Sequence, residues 1–420
     1  MPGLRFVLAA ATTLGLIVSA CGGPAAAQEI RSAVPRSSAD PAAALDVRAA
    51  MDAFSADLYR VLAREQGNVV LSPYSVAVAL AMTRAGAVGE TQKQIDTVLH
   101  AALSKDLTAG FNALDQALAK RPGKFTVGDR TLELELATAN RLWGQKDFAF
   151  EPVFLDTLAR DYGAGMQVVD YKTAHESARR SINDWVAART KDRIKDLIAE
   201  GVLDTDTRLV LTNAIYLKAA WTLIFNDAVR GAFHLANGTE VQVDLMSQSE
   251  NLAYGAGDGY RAVRLPYVGG LSMVVMVPDA GKLNSFERGL DGATLRRIAS
   301  GLKSTQVVLT MPKFSFRSNA QLKDALSELG MPLAFTDRAD FSGMTKQEPL
   351  EIADVIHQAF IAVDEKGTEA AAATAVVMRA TSAPLQQVEL RIDRPFLFLI
   401  QDDETGAILF MGRLADPRAA

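Results

Sequence analysis

Long apolar runs in the second half of the chain constrain its fold more than any other feature. Residues 208–217 (RLVLTNAIYL), 271–278 (LSMVVMVP) and 306–311 (QVVLTM) are rich in the β-branched and apolar side chains that are typical of buried strands. Residues 395–400 and 407–411 flank the turn sequence DDETG and predict a β-hairpin. The second half is therefore expected to form large, mainly antiparallel sheets.

Helical patterns cluster in the first half. Apolar residues recur at intervals of three and four between residues 47 and 62, which indicates an amphipathic helix. Ser72 suits the N-cap of a second helix and Pro73 its first turn, and residues 76–86 are mostly apolar, so this helix is expected to be buried. The chain of 420 residues shows no repeat period. Helices and sheets that do not alternate regularly predict an α+β fold.

An apolar run near the N-terminus indicates an export signal. Arg5 places one positive charge ahead of the apolar residues 6–18, and small residues follow, as in a secretory signal peptide. The sequence VSAC ending at Cys21 resembles the lipobox of bacterial lipoproteins. Residues 1–20 are therefore predicted to be removed, and Cys21 to be lipidated and to attach the protein to the membrane at the cell surface. Ordinary A-x-A cleavage after residues 25–27 is the alternative, and it gives a secreted protein.

Composition limits the other classes of function. Residues 21–45 are rich in Ala, Ser and Pro and predict a flexible tether ahead of one folded domain over residues 46–418. Hydrophobic residues make up 49% of the chain, which is enough for a sizeable core. The net charge is −5 and no Lys/Arg block with interleaved aromatics occurs, so nucleic acid is not an expected partner. Cys21 is the only cysteine in the sequence, which leaves no disulfide and no thiolate-ligated metal.

Motifs for catalysis are absent from the sequence. It contains no H-E-x-x-H zinc motif, no G-x-S-x-G nucleophile elbow and no P-loop, and His175-Glu176 lacks a second histidine at helical spacing. The glycine-rich residues 255–259 lack a strand-to-helix context and are interpreted as a surface turn. We therefore expect neither an enzyme nor a bound metal or cofactor.

Short motifs along residues 46–417 occur in an order and spacing that resembles the serpin family. They are NVVLSPYS (68–75), GAVGET (86–91), LTNAIYLK (211–218), LPY (265–267), MPKF (311–314), FSGM (341–344), RPF (394–396) and FMGR (410–413). Each motif alone is weak, but their common order is specific. The resemblance implies the serpin fold, with three β-sheets, about eight or nine helices and an exposed reactive-centre loop.

A run of small residues near the C-terminus resembles the hinge of the inhibitory serpins. The resemblance assigns to the hinge Glu365, Gly367, Thr368, Glu369, Ala370, Ala371, Ala372, Ala373 and Thr374. In that family the loop is bait for a serine protease, or alternatively a cysteine protease. After attack the cleaved loop enters the central sheet as a new strand and distorts the tethered acyl-enzyme. The resemblance therefore implies a suicide-type protease inhibitor that acts as a monomer.

The residue types in the hinge support this interpretation independently. Alternate residues of a strand face the same side, so Thr368, residues 370, 372 and 374, and Val376 would all face the core after insertion. None of them is charged, and a charge at Thr368 would be buried without a partner. After insertion Glu369 would face the other side, where water could solvate it. Gly367 gives the backbone freedom at the pivot.

Five residues resemble the elements that control opening of the sheet in serpins. Ser72, Ser75, Asn213 and His357 resemble the shutter beneath the sheet, and Trp221 resembles the breach tryptophan at its top. Each has an ordinary structural interpretation when it is taken alone. Ser72 suits a helix cap, His357 a hydrogen-bonded core histidine, and Trp221 a core aromatic.

The family pattern places the scissile bond between Thr381 and Ser382, which suits a protease with a small specificity pocket. The segment that follows is a few residues longer than is typical, so bonds upstream stay open. Arg379–Ala380 suits a trypsin-like pocket, and Met378–Arg379 a hydrophobic one.

A non-inhibitory serpin that acts as a surface binding protein is the alternative function. Hinges of that class usually carry proline or charged residues in the alanine run. Here Ala370–Ala373 are intact, which favours inhibition.

Overall fold

The computed structural model describes residues 27–369 and 387–419. The α-helices of this part of the chain are α1 (Pro41–Asp46), α2 (Arg48–Leu62), α3 (Pro73–Arg84), α4 (Gly89–Val98), α5 (Leu107–Leu118), α6 (Pro152–Tyr162), α7 (Tyr171–Arg189), α8 (Leu283–Arg288), α9 (Gly292–Ser300) and α10 (Lys323–Leu329). Because only Val47 separates α1 from α2, the described helices amount to nine when this pair is taken as one bent helix.

Strands make up most of the remaining structure. They are β1 (Gln28–Ile30), β2 (Val69–Leu71), β3 (Gly123–Val127), β4 (Arg130–Gln145), β5 (Met166–Val169), β6 (Leu209–Ala220), β7 (Asn226–His234), β8 (Glu240–Gly257), β9 (Tyr260–Pro266), β10 (Leu271–Pro278), β11 (Lys303–Pro312), β12 (Phe314–Gln321), β13 (Asp354–Asp364), β14 (Gly367–Thr368), β15 (Val388–Arg391), β16 (Phe396–Asp402) and β17 (Ile408–Leu414). The predicted hairpin is confirmed as β16 and β17, which pair antiparallel.

The central sheet has eight strands in the order β1-β5-β4-β6-β14-β13-β12, with β3 paired to the far end of β4. The β4 and β6 strands run antiparallel along most of their length. The β6 and β13 strands pair directly and in parallel only between residues 210–215 and 354–359. Above that level β14 lies between them. The central sheet is therefore already parted at one end.

A second network has nine strands in the order β15-β11-β8-β9-β10-β16-β17-β2, with β7 paired to β8. The first half of β8 pairs with β7 and its last residues pair with β9 on the same edge. The long β8 strand thus takes part in two smaller sheets. Together with the central sheet, these are the three sheets that the resemblance implies. The two smaller sheets are joined through β8 into one hydrogen-bonded network, so the described strands form two networks in place of three separate sheets.

The helix α3 lies between the two sheets and explains why its sequence is apolar all round. Ser72 caps it by accepting a hydrogen bond from the backbone N–H of Ser75 at 3.2 Å, and Pro73 occupies the first turn. Residues 73–83 are all buried. On the opposite face of the central sheet, α7 packs Ile182 and Val186 against Trp143. The predicted cap and burial of α3 are confirmed.

The segment expected to be a flexible tether is attached to the fold from residue 28 onward. The β1 strand pairs with β5 at the edge of the central sheet. The Ser32 hydroxyl donates to Asp156 on α6 at 2.5 Å, and the Ser37 amide donates to the Arg160 carbonyl at 2.8 Å. Serine side chains and extended backbone can hydrogen-bond to a sheet edge or a helix as well as to water. A serine-rich composition therefore does not distinguish a flexible tether from a segment attached to the fold. The tether prediction is wrong for residues 28–45, and residues 21–26 lie outside the described part.

A buried ion pair joins α8 to the last strand. The Arg413 guanidinium lies 3.0 Å from the Glu287 carboxylate, and the Tyr59 hydroxyl donates to that carboxylate at 2.6 Å. Arg413 also donates to three backbone carbonyls in the turn 63–67. The two buried charges are thus compensated by each other and by further hydrogen bonds.

In the described part of the chain, no helix is long and apolar enough to cross a membrane.

Candidate functional site

The predicted hinge begins inside the central sheet. The β13 strand ends at Asp364, the chain turns, and β14 then pairs with β13 on one side and with β6 on the other. In this register Thr368 lies between Ala219 and Val363. A Cβ atom on Gly367 would lie 2.1 Å from the Ala219 carbonyl oxygen, so only glycine permits this close approach.

The turn that leads into β14 is held by side chains of its own and of the second network. The Asp364 carboxylate accepts hydrogen bonds from the amides of Lys366 and Gly367, at 2.8 and 3.1 Å. The Glu365 carboxylate lies 3.0 Å from the Lys313 ammonium and accepts from the Ala228 amide at 3.1 Å. The start of the hinge is therefore fixed to β7 and to Lys313, which lies between β11 and β12.

Trp221 lies at the end of β6 where the hinge enters. Its ring stacks on Tyr267 at 4.0 Å between centroids with an interplanar angle of 10°. The indole N–H donates to the Asp364 carbonyl at 2.9 Å, and the Trp221 amide donates to the Lys366 carbonyl at 2.8 Å. The Tyr267 hydroxyl hydrogen-bonds to the Thr368 hydroxyl. Trp221 thus touches the turn, and its stacking partner touches the hinge.

Glu369 is largely covered in the uncleaved protein. Its side chain is only 8% exposed, and its carboxylate lies against the Arg193 guanidinium and beside Tyr216. Its backbone is left-handed, with φ of 55°, so the extended strand conformation ends at this residue. Burial raises the pKa of the Glu369 carboxyl, and Arg193 and Tyr216 oppose that rise. In the uncleaved protein Arg193, distant in sequence, thus covers this carboxylate, and solvation of Glu369 in an inserted strand stays a prediction.

The candidate shutter centres on His357, which is fully buried. Its Nε2 accepts a hydrogen bond from the Ser72 amide at 3.0 Å, so the proton resides on Nδ1, which donates to the Asn213 carbonyl at 3.1 Å. Burial lowers the pKa of His357 to about 4, and the bond to Asn213 offsets this only in part. The imidazole is therefore neutral at physiological pH. It bridges α3, β6 and β13.

Asn140 belongs to the same cluster, although the sequence analysis did not single it out. Asn140, Asn213 and His357 lie opposite one another on β4, β6 and β13. The Ser75 hydroxyl donates to the Asn140 side chain. The Asn213 amide is buried, and neither its oxygen nor its nitrogen has a hydrogen-bond partner among the described residues. A buried side-chain amide without hydrogen-bond partners is costly. Asn213 is therefore a candidate to hydrogen-bond with a polar group that enters the sheet beside it.

Several predicted site residues lie outside the described residues. They are Cys21, Ala370, Ala371, Ala372, Ala373, Thr374, Met378, Arg379, Ala380, Thr381 and Ser382. The chain is described again from residue 387, and β15 then pairs in parallel with β11 of the second network. Within residues 27–369 and 387–419, no three His, Cys, Asp or Glu side chains converge to hold a metal ion.

Comparisons with known proteins all lead to one family. A family profile described as "Serpin (serine protease inhibitor)" matches residues 49–417. An uncharacterised serpin-like protein of Thermococcus kodakarensis is 38% identical over 86% of this chain and 84% of its own length. The leukocyte elastase inhibitor of Sus scrofa is 36% identical over 86% of this chain and 97% of its own. The native crystal structure of the thermophilic serpin tengpin superposes with a TM-score of 0.81 at 27% identity, covering 93% of this chain and all of that one.

Proposed function

The chain belongs to the serpin family and has the serpin fold, and on that premise we propose that it inhibits serine proteases by trapping the acyl-enzyme. The observation that carries the proposal is the position of β14. Two residues of the hinge, Gly367 and Thr368, already occupy a strand position between β6 and β13. Insertion of the rest of the loop therefore continues a pairing that has begun.

The register of β14 predicts where the inserted loop would lie. Asn213 precedes Ala219 by six residues, and His357 precedes Val363 by six, while Thr374 follows Thr368 by six. Continued antiparallel pairing would thus place Thr374 between Asn213 and His357. The bond from His357 to the Asn213 carbonyl would break as the strands part. The Thr374 hydroxyl would then lie beside the Asn213 side-chain amide, which has no hydrogen-bond partner among residues 27–369 and 387–419.

The chemistry of trapping follows from ordinary acyl transfer. The protease serine oxygen attacks the carbonyl carbon of the scissile residue, which we place at Thr381. The C–N bond to Ser382 breaks, the new amine takes the proton, and an ester joins Thr381 to the protease. At about 3.3 Å per residue, insertion from Thr368 to Thr381 would carry the protease roughly 43 Å along the sheet. Distortion during that movement would stop water from completing hydrolysis.

The side chains of the hinge fit the two faces of the slot. Thr368 faces the core and is 2% exposed. By strand alternation, residues 370, 372 and 374 would face the same side, and all of them are small. An intact run of alanines therefore supports inhibition over the alternative of a non-inhibitory binding serpin.

One experiment tests the proposal. The protein is incubated with elastase-like, trypsin-like and subtilisin-like proteases and the products are run on denaturing gels. We expect a detergent-stable complex with at least one protease, together with a released C-terminal peptide. Thr368→Arg is the comparison variant, because a buried unpaired charge should slow insertion and convert the inhibitor into a substrate. Clean cleavage without complex by every protease tried would contradict inhibition.

The mass of the released peptide identifies the reactive bond. Relatives named leukocyte elastase inhibitors are 36% identical to this chain, and elastase-type pockets accept small side chains such as Thr381. A peptide that begins at Ser382 would agree with this assignment. A peptide that begins at Ala380 would favour Arg379 and a trypsin-like target, and one that begins at Arg379 would favour Met378.

We also propose that the protein is exported and held at the cell surface by lipid on Cys21. The lipobox-like sequence VSAC supports this proposal. Cys21→Ser should release the protein from the membrane fraction. Equal membrane partitioning of the variant and the wild type would favour ordinary cleavage and secretion.

A further inference from the structure

The described part of the hinge is paired in the sheet as far as Thr368. Gly367 and Thr368 are paired on both sides, and the Glu369 amide donates to the Ala362 carbonyl of β13 at 2.9 Å. The extended conformation ends at Glu369, where φ is 55°. A contact must hold Glu369 in this conformation, because the small side chains that follow it in sequence offer little steric resistance to further insertion.

Arg193 is placed to do this. It lies in the segment between α7 and β6, and its guanidinium lies 5.7 Å from the centroid of the Phe360 ring on β13. The same guanidinium contacts the Glu369 carboxylate. Arg193 therefore bridges a fixed strand and the hinge on the α7 face of the sheet, directly beyond the last inserted residue.

Deeper insertion requires this arrangement to break. Glu369 must change from a left-handed to an extended backbone before β14 can lengthen, and L residues hold left-handed conformations only when surrounding contacts keep them there. The ion pair between the Glu369 carboxylate and Arg193 is such a contact. Loss of the Arg193 contact should therefore free Glu369 to extend.

We propose that Arg193 is a latch that holds the uncleaved hinge at Glu369 and slows insertion of the intact loop. The proposal rests on the proposed function, because it assumes that the loop can enter the sheet. The latch keeps the protein in the form that can still trap a protease. It acts through hinge position and takes no part in acyl transfer.

The test measures conversion of intact protein without any protease. Wild type, Arg193→Met and Glu369→Gln are incubated below their unfolding temperatures, and samples are run on urea-gradient gels, where a protein with an inserted loop resists unfolding. Mass spectrometry verifies that the chain is uncleaved. We expect both variants to convert roughly tenfold faster than wild type, which corresponds to loss of an ion-pair contact worth about 1.4 kcal/mol. The double variant should convert no faster than either single variant, because both remove the same contact.

Arg317→Met is the matched control. The Arg317 guanidinium also lies over the Phe360 ring, at 5.9 Å, but makes no ion pair with Glu369 in the described structure. Its conversion rate should equal that of wild type. A rate for Arg193→Met within twofold of wild type, or equal acceleration by Arg317→Met, would overturn the latch.

Cleaved wild-type protein on the same gels separates the two proposals. Failure of the cleaved protein to gain urea resistance would refute loop insertion and with it the proposed function. Gained resistance without acceleration by Arg193→Met would refute the latch alone.

Discussion

Acid should destabilise the native protein through His357. The pKa of this buried imidazole is lowered from 6.5 to about 4, so the native state resists protonation that the unfolded chain accepts. Below pH 6.5 the unfolded state binds the proton and the native state does not. Stability is therefore fully present above pH 6.5, falls as the pH drops toward 4, and levels off below that. At about 1.4 kcal/mol per pH unit, the loss across this window is roughly 3 kcal/mol.

Urea unfolding at a series of pH values measures this effect. The buried Trp143 and Trp221 give a fluorescence signal for the first unfolding transition. His357→Gln should be less stable than wild type at pH 7.5, because the bonds to Ser72 and Asn213 are altered. The difference between the two proteins should shrink as the pH falls from 6.5 to 4, because the variant lacks the titrating group.

His234→Gln is the control for this experiment, since the His234 side chain is 51% exposed. It should reproduce the pH dependence of wild type. Carboxyl groups such as Glu369, whose pKa is raised by burial, contribute equally to all three proteins and cancel in the comparison. Parallel pH profiles for wild type and His357→Gln between pH 6.5 and 4 would refute the reasoning that burial keeps His357 neutral.

Three further changes have clear expected outcomes. Gly367→Ala should destabilise the native state by about 1–3 kcal/mol in urea, since its Cβ would overlap a carbonyl of β6; no change would mean that β14 is not paired as described. Arg413→Met should cost about 3–5 kcal/mol by leaving Glu287 buried without its partner, whereas the exposed Arg418→Met should cost less than about 1 kcal/mol. Thr374→Val should leave the uncleaved protein unchanged and lower the melting temperature of the cleaved form, by calorimetry; equal effects on both forms would contradict the register.

The sequence was most informative where local chemistry decides the structure. Ser72 and Pro73 begin α3 as expected, because a cap and a fixed φ act within one turn. The hairpin of β16 and β17 follows from two apolar runs and the turn between them. The resemblance to serpins predicted the fold class because its motifs extend over nearly the whole chain.

Contacts between segments that are distant in the chain could not be predicted from the sequence. Arg193 and Glu369 are far apart in the chain, so nothing local indicated that the carboxylate would be covered. Asn140 faces Asn213 only because β4 and β6 pair in one register. Ser32 in the presumed tether likewise finds its partner on α6. In each case, a polar side chain that could be exposed to water instead contacts a partner that only the tertiary fold brings close to it.

Pairing of β1 with β5 limits how far the fold could lie from a membrane if the proposed lipidation and inhibition both hold. The first described strand begins at Gln28, seven backbone steps from Cys21, and a fully extended chain spans at most about 25 Å over them. A lipid on Cys21 would therefore keep the sheet edge close to the bilayer and restrict how the protein can rotate. Encounter would favour proteases that share this thin layer, where the effective concentration of bait is highest.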